Sequence, residues 1–187
     1  MMIDASYQPG GRQGCCGGAS GIRPFPPPMP PVFPTEPDVL QLNLAAAQTG
    51  IANGAAIPLT GTVRQTGNGL RYDAATHAVT VSEAGVYTFI WNVLVQTETG
   101  DAPVLRLQSL DGQIVLGISG LPAETAAQGA MLSGSAVAYL PAGTAWVLVN
   151  ATGAPLNIPA AGTAPAVFAA SVTVAENAAM NRFPQRS

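Results

Sequence analysis

A chain of 187 residues has room for one ordinary domain and a tail, and not comfortably for two. Only 9% of its residues are charged, lysine is absent and the formal net charge is −3. The seven arginines (Arg12, Arg23, Arg64, Arg71, Arg106, Arg182, Arg186) are scattered. The composition therefore offers neither the clustered cations that bind nucleic-acid phosphates nor a basic patch for a membrane surface. Soluble monomers carry roughly 25% charged residues. Two readings fit the deficit: surface buried against other subunits, whose interface centres are depleted in charge, or an environment that favours neutral, inert surfaces.

Residues 1–21 open with Met1-Met2-Ile3-Asp4-Ala5-Ser6, which has no basic start and no apolar core, so no secretory signal is expected. The only cysteines, Cys15 and Cys16, follow among Gly14, Gly17 and Gly18. Adjacent cysteines rarely bridge each other because the small ring strains the peptide between them. On a glycine-rich segment they suit an intermolecular disulfide or thiol attachment. The alternatives are no specific role, or a metal site pooled from three chains, since two ligands are too few for one.

Residues 22–37 change character. Ile22, Arg23, Pro24, Phe25, Pro26, Pro27, Pro28, Met29, Pro30, Pro31, Val32, Phe33 and Pro34 lead to Thr35-Glu36-Pro37. Such a segment favours extended polyproline II at about 3.1 Å per residue, a reach on the order of 45 Å from Arg23 to Pro37. A stiff spacer is one reading. Apolar and aromatic residues among the prolines favour another, an arm that docks in a groove with little entropy left to lose.

From residue 38 to 176 the pattern is short β-runs at intervals of roughly 10 residues. Val39-Leu40-Gln41-Leu42-Asn43-Leu44 alternates apolar and polar. A turn is expected over 72–77, then strands at 78–81, 85–95 and 104–110, with Asp111-Gly112 as a hairpin signal before 114–116. Runs at 131–140, 144–150 and 167–174 follow, with turns at Pro141-Ala142-Gly143 and Thr152-Gly153-Ala154-Pro155. The uncharged stretch from Gln128 to Ala175 is broken by prolines before a membrane helix could form, so it reads as buried β-structure. No 3.6-residue period is sustained. About eight to ten strands in this length imply an all-β, two-sheet antiparallel sandwich. Residues 177–187 read as a C-terminal tail.

Little in the sequence points to catalysis, and no enzyme activity or cofactor is expected. His77, the only histidine, falls in the expected turn without a nucleophile at useful spacing, and reads as a solvent-exposed turn residue. Asp73, Glu83, Asp101, Asp111 and Glu124 fall at turns or strand ends, as solvated charges do. Gly67-Asn68-Gly69 and Gly17-Gly18-Ala19-Ser20-Gly21 lack the strand and helix that a phosphate loop requires. Tyr87, Phe89 and Trp91 share one strand face by the period of two, and Val86, Ile90 and Asn92 the other. Ordinary core accounts for these aromatics and for Tyr139 and Phe168.

The segment Tyr72-Asp73-Ala74-Ala75-Thr76-His77, continuing through Val79 and Val81 to Gly85-Val86-Tyr87-Thr88-Phe89, resembles a signature of the tumour-necrosis-factor-like jelly rolls. These include complement-head domains and the C-terminal domains of BclA-type spore-surface glycoproteins. Ser82 stands where that signature usually has proline, and Tyr139-Leu140-Pro141-Ala142-Gly143-Thr144 matches a later turn with Thr144 in place of the acid. The arm around Arg23–Thr35 is similar to the leader that tethers BclA-like proteins to the exosporium, but no collagen-like tract follows it. The resemblance implies a jelly roll over 38–176 that assembles as a homotrimer. It further implies a structural subunit at the spore surface, in the exosporium or an appendage, whose arm docks on an adjacent trimer and extends a fibre head to tail. A coat or exosporium anchor protein is a further implied partner. The rival readings are a surface-anchored binding head whose arm only tethers it, and a component of a phage or virion fibre.

Overall fold

The computed structural model describes residues 36–44, 46–97, 101–126, 129–160 and 168–179. Cys15, Cys16 and residues 22–35 of the predicted arm lie outside them. Among these described residues, twelve strands and one helical turn follow in order: β1 Val39–Leu44, β2 Gln48–Ile51, β3 Gly61–Thr66, β4 Leu70–Asp73, β5 Ala78–Val81, β6 Gly85–Val95, β7 Val104–Ser109, β8 Val115–Gly120, α1 Ala123–Ala126, β9 Ala130–Leu140, β10 Thr144–Asn150, β11 Leu156–Ile158 and β12 Ala170–Ala179. Sheet I has the order β3-β1-β12-β6-β9 and sheet II the order β4-β5-β10-β7-β8, with β2 and β11 as a separate small pair. Every named pairing is antiparallel.

The expected sandwich is present, and its core follows the alternation read from the sequence. Leu40, Leu42 and Leu44 of β1 are buried, as are Tyr87, Phe89, Trp91, Val93 and Val95 of β6. From sheet II they meet Leu70, Val79, Val81, Leu105, Leu107, Trp146 and Leu148. Trp91 is the largest of the fully buried side chains. Its indole lies over Gly134 of β9 and against Gly117 of β8, where an added Cβ would collide with the ring. Its Nε1 donates to Ser119 Oγ at 2.8 Å, so the buried ring keeps its polar handle satisfied.

Several elements differ from expectation. β2, β3, β4 and β11 were not anticipated. The expected turn at 72–77 is narrower, because Tyr72 and Asp73 still pair with β5. The strand expected over 167–174 runs instead over Ala170–Ala179. The Asp111-Gly112 turn forms as expected, with Gly112 at φ 75°, a left-handed conformation that costs glycine little.

Candidate functional surface

β6 and β9 pair along their full length, from Gly85↔Leu140 to Val95↔Ala130. Because side chains alternate, the face opposite the core carries Val86, Thr88, Ile90, Asn92 and Leu94 from β6, against Met131, Ser133, Ser135, Val137 and Tyr139 from β9. Four of these are large and open to solvent: Ile90 is 46% exposed, Met131 48%, Val137 64% and Tyr139 55%. Tyr139 is therefore not the ordinary core residue its aromatic character suggested. The period of two settles the reason, since Leu140 takes the inward position beside it.

The same face continues across β12 through Ser171, Thr173 and Ala175, and across β1 through Val39, Gln41 and Asn43. None of these outward positions on β1, β12, β6 and β9 carries a charge. Ser133 Oγ donates to Asn92 Oδ1 at 2.7 Å, and Asn177 Nδ2 to Thr88 Oγ1 at 2.7 Å, so part of the polar complement is already satisfied within the face. A second apolar surface lies at the edge of sheet II. There β8 exposes Val115 and Ile118, and the β7–β8 turn exposes Leu110 and Ile114. Leu110 and Ile114 also border a cleft of about 470 Å³ with Ser109, Asp111, Thr144, Ala145 and Trp146.

The signature residues around Tyr72 are brought together for a structural purpose. Asp73 Oδ1 accepts from Ala75 N at 2.9 Å and Oδ2 from Thr76 Oγ1 at 2.7 Å, which closes the β4–β5 turn. The Thr76 hydroxyl is the main cause holding the exposed Asp73 carboxyl below its ordinary pKa. His77 sits at φ 56° and is half-buried rather than solvent-exposed, with Nδ1 3.0 Å from Tyr72 Oη. Tyr72 Oη donates its one proton to the Leu59 carbonyl, so Nδ1 of His77 is the donor in their contact. Burial, and secondarily the Asp73 carboxylate, push the Tyr72 phenol up to about 12. The turn is a knot of structural hydrogen bonds.

Glu83, Asp101, Asp111 and Glu124 are exposed, as their positions at turns and strand ends suggested. Sequence reasoning missed the two carboxylates that are not: Asp38 is 4% exposed and Glu176 5%. Their local sequences resemble any strand end, and only the tertiary pairing of β1 with β12 reveals their burial. Among the described residues, no group of three or more His, Cys, Asp or Glu is placed to hold a metal ion, and no helix is long and apolar enough to cross a membrane.

No family model matches this sequence, and no curated protein matches it. Solved structures do. The chain is similar to the globular domain of a zebrafish complement 1qA protein at TM-score 0.57 and 14% identity, covering 76% of this chain and 98% of that one. It is similar to the Eiger TNF of S. frugiperda at TM-score 0.59 and 14% identity, covering 83% and 100% respectively. Murine APRIL matches at TM-score 0.52 and 17% identity, covering 75% and 99%. The fold is a tumour-necrosis-factor-like jelly roll. At these identities the likeness speaks to the jelly roll alone, and function rests on the surfaces described above.

Proposed function

We propose that this jelly roll is a structural subunit that trimerises through the outward face of sheet I. Its N-terminal arm then docks on an adjacent trimer to build a spore-surface fibre. The observation that carries the reading is the pairing of two unlike apolar surfaces on one subunit: the uncharged face with Ile90, Val137 and Tyr139, and the β8 edge with Val115 and Ile118. Neither surface is self-complementary by necessity. A face that meets a neighbour's edge makes a heterologous contact, which closes into a ring when the rotation permits. Such a ring would bury side chains that water otherwise solvates poorly, at about 25 cal/mol per Å² of apolar area. The absence of charge from the face fits a buried interface centre.

The resemblance of the arm and head to BclA-like proteins supports a spore-surface setting in the exosporium or an appendage. There the partners are further copies of this chain and, at the fibre base, a coat or exosporium anchor. The composition of residues 22–34 supports docking over spacing, because a pre-extended segment with Phe25, Met29 and Phe33 presents apolar anchors at low entropic cost. Cys15 and Cys16 would then cross-link neighbouring copies. Negative-stain electron microscopy of the full chain beside one lacking residues 1–35 tests this. Fibres from the first and compact trimers only from the second are expected. Compact trimers from both would remove the polymerising role of the arm.

One observation favours a second reading. The cleft lined by Leu110, Ile114, Ala145 and Trp146 is apolar with a few polar groups at its rim, the usual character of a ligand site. In that reading the chain is a tethered trimeric head whose cleft binds a ligand and whose arm serves only as the anchor.

A further inference from the structure

The chain enters the jelly roll through residues 36–38, and the head grips that entry from two sides. From β3, Thr66 Oγ1 donates to the Pro37 carbonyl at 3.1 Å. From β12, Glu176 N donates to the Asp38 carbonyl at 2.8 Å, and Asp38 N donates back to Glu176 Oε2 at 3.4 Å. The Asp38 side chain lies across Gly67 and Gly69 in the β3–β4 connection, where a Cβ on either glycine would overlap its carboxylate. Both backbone groups of Asp38 and its side chain are thus taken up by the head, although burying a carboxylate works against stability.

A domain that releases its tail through a hinge needs none of this. The residues at such a boundary are usually exposed, with backbone groups solvated and few contacts across the junction. Here the bare backbone of Gly67 and Gly69 leaves the room that the Asp38 carboxylate fills. Just outside the clamp, Glu36 and Pro37 join Val39, Arg64 and Thr66 around a cleft of about 250 Å³.

We propose that residues 36–38 form a rigid joint, with Asp38 as the positioning residue that holds this entry against the head. For its purpose the inference rests on the arm-docking reading. A docking segment that starts from a fixed point loses less entropy when it binds. The joint itself is a property of the single subunit.

The test uses the full chain with Cys15→Ser and Cys16→Ser, carrying a spin label at Glu36→Cys, and a control label at Thr62→Cys on exposed β3. With Asp38 present, the label at 36 should be as restricted as the one at 62. Asp38→Ala should speed the nanosecond motion at 36 by about threefold or more while leaving the label at 62 unchanged. Gly69→Ala, which displaces the carboxylate without removing it, should do the same and covers the case in which Asp38→Ala fails to fold. A mobile label at 36 in the unsubstituted chain would overturn the joint, as would a label at 36 that neither variant loosens. Equal loosening at 62 would also overturn it, by showing a general structural role. These spectra do not depend on fibres forming, so failure of the fibre reading and failure of the joint are separate results.

Discussion

The two sheets of this jelly roll share one core but carry charge differently on their outward sides. The outward side of sheet II carries Arg71, Asp73 and Arg106 among its strands. The outward side of sheet I, across β1, β12, β6 and β9, carries no charge and exposes Ile90, Val137 and Tyr139. The difference cannot come from the fold, because both sheets need only one apolar face to build the core. What the contrast teaches is that four adjoining strands of sheet I form one continuous uncharged area. That pattern fits a face meant for other subunits better than a uniformly inert exterior.

The most severe way to break the comparison is from inside. Trp91→Ala should cost about 3–5 kcal/mol, because the indole is buried over Gly134 and little can move in to fill its space. Chemical denaturation should show a lower midpoint, and both outward faces would be lost together. A charge on the outward face acts differently. Val137→Asp should leave the subunit folded but weaken trimer formation by about 2 kcal/mol or more, roughly 30-fold in dissociation constant, read by sedimentation velocity. The matching change on sheet II, Thr80→Glu opposite Arg71, should move stability by no more than about 0.5 kcal/mol and leave the oligomer intact.

The smallest effect concerns the β4–β5 turn. The Asp73 carboxyl is held below its ordinary value, so the folded state binds its proton less readily than the unfolded chain does. Its contribution is present above the ordinary carboxylate pKa of 3.8 and is lost as pH falls through the lowered folded value. Asp73→Asn should therefore lower the melting temperature slightly at neutral pH and flatten the acid limb of the profile between pH 3.8 and the lowered folded value. An unchanged acid limb would mean that the turn hydrogen bonds do not couple to folding.

Much of the sandwich was legible in the sequence because its central strands are long and half-buried. β1, β5, β6 and β10 occupy the positions that alternation and turn residues indicated, and the sharing of one face by Tyr87, Phe89 and Trp91 followed from the period alone. The missed strands had no such signal. β3 reads Gly61-Thr62-Val63-Arg64-Gln65-Thr66, and as an edge strand its one large apolar residue, Val63, is exposed at a register shift. β2 and β11 are too short to show a period. Which face of β6 and β9 would stay open was equally hidden, because Ile90 and Val137 look like core residues until the partner sheet is seen to lie on the other side. The clamp around Asp38 was hidden for a different reason: it joins residues near 38, 67 and 176, which only the tertiary fold brings together.

The central claim is that the uncharged face of sheet I is an assembly surface. The most direct test is the solution mass of the head lacking residues 1–35, measured by sedimentation velocity with and without Val137→Asp. Three copies for the unsubstituted head, and a shift toward the monomer on substitution, is the result predicted here. A monomeric head, or a trimer indifferent to a carboxylate at position 137, would contradict the account and return the exposed apolar face to an unexplained feature of the surface.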